Sequence, residues 1–160
     1  MEDQTERRRL GMILFITSLG SFLTPFMGSS INVAIPLIGE EFFSDAILLS
    51  WVATSYLLAA AVFIVPMGRL ADMKGRTGIF LAGIAIYTLG SLLSTMISSI
   101  EMLILFRIIQ GCGGAMIFGT SVAIISGAFP PGKRGGALGI NVAVVYTGLA
   151  VGPVIGGALT

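Results

Sequence analysis

Five stretches of this chain contain no Asp, Glu, Lys or Arg: residues 10–39, 46–68, 77–100, 108–132 and 135–160. Nothing else in the sequence restricts the fold so strongly. Each stretch is long enough to cross a bilayer core of about 30 Å, which takes about 20 helical residues. Soluble domains carry charge at about one residue in four. Here only 11% of 160 residues are charged, 55% are hydrophobic, and the mean hydropathy is +0.98. A backbone in lipid must satisfy its own polar groups, and the two-residue alternation of a β-barrel is absent, so the spans read as helices. The sequence therefore predicts an all-α, polytopic membrane bundle of five transmembrane helices at about 10–36, 47–69, 77–100, 102–129 and 136–159.

The same composition excludes several functions. A net charge of +1 offers no basic field for nucleic acid. There is no His, and the single Cys112 lies inside an apolar run. Usual metal clusters, disulfides and Cys/His or Ser/His catalytic sets are therefore not expected, nor is an enzyme or a bound cofactor. The first apolar run is longer than the core of a signal peptide, and no small-residue cleavage site follows it. It reads as a retained first helix.

Charge gives the expected orientation. Arg7, Arg8, Arg9, Arg69, Lys74, Arg76, Lys133 and Arg134 fall in the N-terminal tail and the second and fourth loops. Alternating spans put these on one side. Glu40, Glu41, Asp45 and Glu101 fall on the other. Cytoplasmic loops collect Lys and Arg, so the N-terminus is expected in the cytoplasm, and the protein in the plasma membrane.

The helices also have faces. Ser18, Ser21, Pro25, Gly28, Ser29 and Asn32 recur at three- and four-residue steps in the first, as do Gly83, Tyr87, Gly90, Ser91, Ser94 and Ser98 in the third. Small and hydroxyl residues on one face permit close helix approach.

Three segments carry more specific information. The first, "GRLADMKGR" at 68–76, places Asp72 among cations, with Gly68 suited to a close helix end and Gly75 to a tight turn. An acid there can accept from free N–H groups at a helix start. The second, "LILFRIIQGCGGA" at 103–115, carries Arg107, the sole charge well inside a span. A mid-bilayer arginine costs about 2.5–3.5 kcal/mol on insertion scales, which makes it a functional candidate, the alternative being an arginine that snorkels to the outer end. Its helical neighbours Gln110, Gly111 and Gly114 form a small, polar seam facing protein, whereas Glu101 lies on a different face. The third, "GLAVGPVIGG" at 148–157, spaces Gly148, Gly152 and Gly156 by four residues to form a groove, with Pro153 and Gly157 beside it.

Together these segments resemble the major facilitator superfamily of secondary transporters. The first resembles its loop between helices 2 and 3, with Met73 and Thr77 standing where basic residues are usual. The second resembles its helix-4 pattern and the third its helix-5 antiporter pattern. "INVAIP" at 31–36 and the run from Trp51 to Asp72 are similar to helices 1 and 2 of the fourteen-helix drug:proton antiporters. That branch often carries an acid on helix 1 where Met27 stands here.

The resemblance implies a role for each site. Gly68, Asp72, Gly75 and Arg76 would form the gate, Arg107 with Gln110 and Gly111 would support coupling, and Gly148, Gly152, Pro153, Gly156 and Gly157 would form a hinge and seal. Asn32 and Met27 would line the substrate path. At about 1.5 Å per residue, Met27 lies about 13 Å from the outer end of its helix and Arg107 about 10 Å from the outer start of its own. An acid at position 27 could neutralise Arg107, whereas methionine cannot.

The implied activity is proton-coupled multidrug efflux of amphipathic or cationic small molecules across a lipid bilayer. The five helices correspond to the incomplete N-terminal half of that fold, so the chain is expected to be a fragment. The helix-5 groove and Asp72 are accordingly expected to face a missing second half or partner chain. The alternative is a short membrane subunit, or an inactive remnant, that does not itself transport.

Overall fold

The computed structural model describes the backbone of residues 2–159 and the side chains of residues 4–158. Five helices follow one another: α1 (Glu2–Glu41), α2 (Ala46–Lys74), α3 (Arg76–Leu93), α4 (Ile100–Ala128) and α5 (Pro131–Leu159). Each is long and apolar enough to cross a membrane, and no strand occurs among the described residues.

The helix count matches the sequence reading, and α4 falls within two residues of its expected bounds, but several other ends differ. α1 takes in the polar tail before residue 10, where Glu, Gln and Arg are good helix formers. α2 does not stop at Arg69. It continues through Leu70, Ala71, Met73 and Lys74 to Gly75, whose φ of 102° ends it. α3 stops at Leu93 rather than Ile100. There the Ser94 hydroxyl donates to Gly90 O at 2.8 Å and that of Thr95 to Leu92 O at 2.7 Å, competing with helical N–H groups. Ser99 then caps α4 by accepting from Met102 N at 3.4 Å. α5 begins at Pro131, whose fixed φ and missing N–H suit a first helical position, and Pro130 O accepts from Lys133 N at 2.9 Å.

α4 is the centre of the bundle, with α2 against one side and α3 against the other. Its glycines set both approaches. A Cβ on Gly111 would lie 2.5 Å from Tyr56 O, and one on Gly113 would lie 2.7 Å from Tyr87 N. Tyr56, Phe80, Tyr87 and Ile117 make the central apolar cluster, with Met27 packed on it.

The second main contact joins α1 to α5 and overturns one expectation. The helix-5 groove does not wait for another chain. A Cβ on Gly148 would lie 2.7 Å from Phe22 O, one on Gly152 would lie 2.6 Å from Phe26 O, and one on Gly156 would lie 2.9 Å from Ser30 O. Both sets advance by four residues, so the helices run parallel in register. Ser30 Oγ, donating to Gly152 O at 3.0 Å, ties them. Gly157 is not part of this close contact, since its Cβ would sit at an ordinary 3.7 Å from Val33. Pro153 lies inside α5 without ending it.

Candidate functional site

Arg107 is 2% exposed and does not reach toward either end of the bundle. α4 delivers it into the junction with α2, where Nε donates to Val52 O at 3.2 Å. Nη1 donates to Gln110 Oε1 at 2.8 Å, one helical turn away. The guanidinium carbon stands 4.5 Å from the centroid of the Tyr56 ring. Gln110 Nε2 passes the chain on to Ser91 Oγ at 2.9 Å, which donates to Tyr87 O at 3.0 Å. Every partner is neutral. The polar seam predicted at Gln110, Gly111 and Gly114 is where α2 and α3 close on α4, with Gly114 held against the Tyr56 hydroxyl.

Two cavities meet at this arginine. One, of about 300 Å³, is bounded by Thr24, Gly28, Asn32, Tyr56 and Arg107, among others. The other, of about 310 Å³, lies between α1, α3, α4 and α5, with Met27, Ser30, Ser91, Arg107 and Gln110 in its wall. Asn32 and Met27, the two path candidates on α1, thus line different cavities, each of which Arg107 also lines. The α1 stripe is likewise divided: Ser21 accepts from Asn141 Nδ2 at 3.4 Å, whereas Pro25, Gly28, Ser29 and Asn32 line the first cavity, Ser29 also packing on Gly152.

The 68–76 cluster lies at the other end of α4. Asp72 is in the last turn of α2, not at a helix start, because α2 runs on to Lys74. Its partner is a side chain: Arg76 Nε donates to Asp72 Oδ1 at 2.9 Å across the Gly75 turn. Arg76 Nη1 also donates to Ala123 O at 3.1 Å, tying the turn to α4. Gly68 is interior to α2, and its own Cβ position faces open space. Gly119 of α4 faces this part of α2 at ordinary contact distance, its Cβ position 3.4 Å from Ile64 O and 3.8 Å from Gly68 N.

Sequence reasoning did not single out Tyr56 or Asn141. Tyr56 sits in an apolar run of α2, where the ring's use as an arginine platform leaves no trace in residue spacing. Asn141 is 3% exposed, and an asparagine inside an otherwise apolar span was the available signal.

The fold and motifs agree with comparisons to known proteins. The family model described as Major Facilitator Superfamily matches residues 17–160. The chain belongs to the Major Facilitator Superfamily. Within this superfamily it is 36% identical over 148 residues to the riboflavin transporter RibZ of Clostridioides difficile (strain 630), covering 92% of this chain and 32% of that protein. It is 39% identical over 149 residues to the multidrug resistance protein Stp of Mycobacterium tuberculosis (strain ATCC 25618 / H37Rv), covering 92% and 28%. Identity is 31% with the tetracenomycin C resistance and export protein of Streptomyces glaucescens, covering 91% and 27%. The chain thus spans about a third or less of these relatives' length. A crystal structure of a bacterial homolog of the human lysosomal transporter Spinster, inward-facing and unoccupied, superposes with a TM-score of 0.86 at 24% identity, over 94% of this chain and 32% of that one. That likeness supports the superfamily fold.

Proposed function

We propose that this chain serves transmembrane export of amphipathic small molecules, as part of a transporter of the size of its relatives. The observation that carries the reading is Arg107, a 2%-exposed guanidinium lodged where two cavities converge. A charge held there at such desolvation cost belongs to a pathway for charge or substrate. The multidrug and antibiotic-export relatives favour export as the direction. In this reading Asp72 and Arg76 form a breakable latch, Arg107 supports coupling through Gln110, and the Gly148–Gly152–Gly156 seam keeps α1 and α5 moving as one piece. The membrane is the plasma membrane, with the basic end of the bundle in the cytoplasm.

Proton exchange is the coupling we propose, and it needs a titratable acid on the path. The charge-free stretches contain none, so the acid would come from elsewhere in the working transporter. The same observation favours a second reading, a non-transporting subunit that acts with a partner chain. Efflux of an amphipathic dye from cells carrying the intact protein tests the first. Loss of efflux in each of Asp72→Ala, Arg107→Ala and Gly152→Leu, at normal membrane abundance, is expected. Unchanged efflux in all three would refute the assignment of roles.

A further inference from the structure

Arg107 has no counter-charge among the described residues of this chain. The chain's acids are Glu2, Asp3, Glu6, Glu40, Glu41, Asp45, Asp72 and Glu101, and the seven besides Asp72 stand in the first turns of α1, near the α1–α2 connection or at the start of α4. Asp72 is engaged by Arg76. Among the described residues, no salt bridge reaches Arg107. Its hydrogen bonds run to a carbonyl and an amide, and the amide's own donor points away, to Ser91. These contacts hold the guanidinium in place without cancelling its charge. A buried cation without a counter-charge is strongly disfavoured, so the cavities beside it attract an anion and repel a cation.

The cavity between α1, α3, α4 and α5 has the better complement. At about 310 Å³ it is at the lower bound of small-molecule sites, and its wall combines Arg107 and Gln110 with the apolar Phe26, Met27, Ile31 and Ile155. A planar guanidinium matches a carboxylate in charge and fork geometry. No second cation lines this cavity to balance a doubly charged group. We propose that this cavity binds the carboxylate end of an amphipathic small molecule on Arg107, with its apolar body against Phe26, Met27 and Ile155. This rests on the export reading and gives the substrate a charge opposite to the cationic class that the family resemblance implies.

The test uses the intact protein, purified in detergent, and three probes that share one ring: 2-naphthylacetate, its neutral amide, and 2-naphthylethylammonium. Equilibrium dialysis is expected to show the carboxylate binding roughly 10- to 100-fold more tightly than the amide, as loss of a charged hydrogen bond predicts, with the ammonium weakest. Arg107→Lys should keep that order and Arg107→Gln abolish it. Met27→Glu, which places a carboxylate in the same cavity and leaves Arg107 present, should also abolish it. Met27→Gln should bind more weakly overall yet keep the order. Equal binding of the three probes by the unaltered protein overturns the proposal, as does a carboxylate preference that survives in folded Met27→Glu. A protein that exports a neutral dye but binds the probes alike would retain the export reading and lose this one.

Discussion

Replacing Gly152 with alanine tests the packing logic of the bundle most directly. The added Cβ would collide with Ser29 Oγ and lie 2.6 Å from Phe26 O. The serine can rotate, but the carbonyl belongs to the α1 backbone and cannot. Ordinary contact begins near 3.4 Å, so α1 and α5 must part by about 0.8 Å in an interior packed to crystal-like density. That movement stretches the 3.0 Å bond from Ser30 Oγ to Gly152 O beyond hydrogen-bonding range. Overpacking costs about 1–3 kcal/mol, and a chain of this size melts about 2–4 °C lower per kcal/mol lost. The midpoint is therefore expected to fall by roughly 2–12 °C, read by size-exclusion thermostability in mild detergent. Gly139→Ala is the matched control, since it lies on the same helix with nothing within 4 Å of its Cβ position. If the two variants melt within a degree of each other, the close α1–α5 seam is refuted. Adding Ser29→Ala to Gly152→Ala should recover only part of the loss, because Phe26 O remains.

Gly75→Ala places a side chain at a φ of 102° and should cost about 1–3 kcal/mol, again as a lower melting midpoint; an unchanged midpoint would mean the turn tolerates L residues. Asp72→Asn removes a pair whose side chains are 62% and 44% exposed, so stability should change by less than about 1 kcal/mol while dye efflux falls. A large loss of stability with efflux intact would make the pair structural instead. Orientation is checked in a Cys112→Ser background with an impermeant maleimide. Lys74→Cys and Lys133→Cys should label only when the cytoplasmic face is open, and Ser44→Cys and Ser98→Cys in intact cells; the reverse pattern would invert the topology.

Some of this protein was already determined by its residue order alone. Charge cannot be spread through lipid-crossing segments, so five charge-free stretches fixed five helices, and the glycines and Gln110 beside Arg107 fixed which way that arginine faces. Helix ends were less legible, because they depend on local competition. Hydropathy does not register the Ser94 and Thr95 hydroxyls that stop α3, the Pro130–Pro131 pair that starts α5, or the helix-forming residues that carry α2 through Asp72 to Gly75. Helix pairing was decided only in three dimensions. A Gly-x-x-x-Gly groove announces that some backbone will approach, but its sequence does not say whose. The fold supplies α1 as that partner by bringing Phe22, Phe26 and Ser30 into register with Gly148, Gly152 and Gly156. Tyr56 likewise becomes a neighbour of Arg107 only when α2 closes on α4, since contacts between residues tens of positions apart depend on how the helices pack and not on spacing within any one of them.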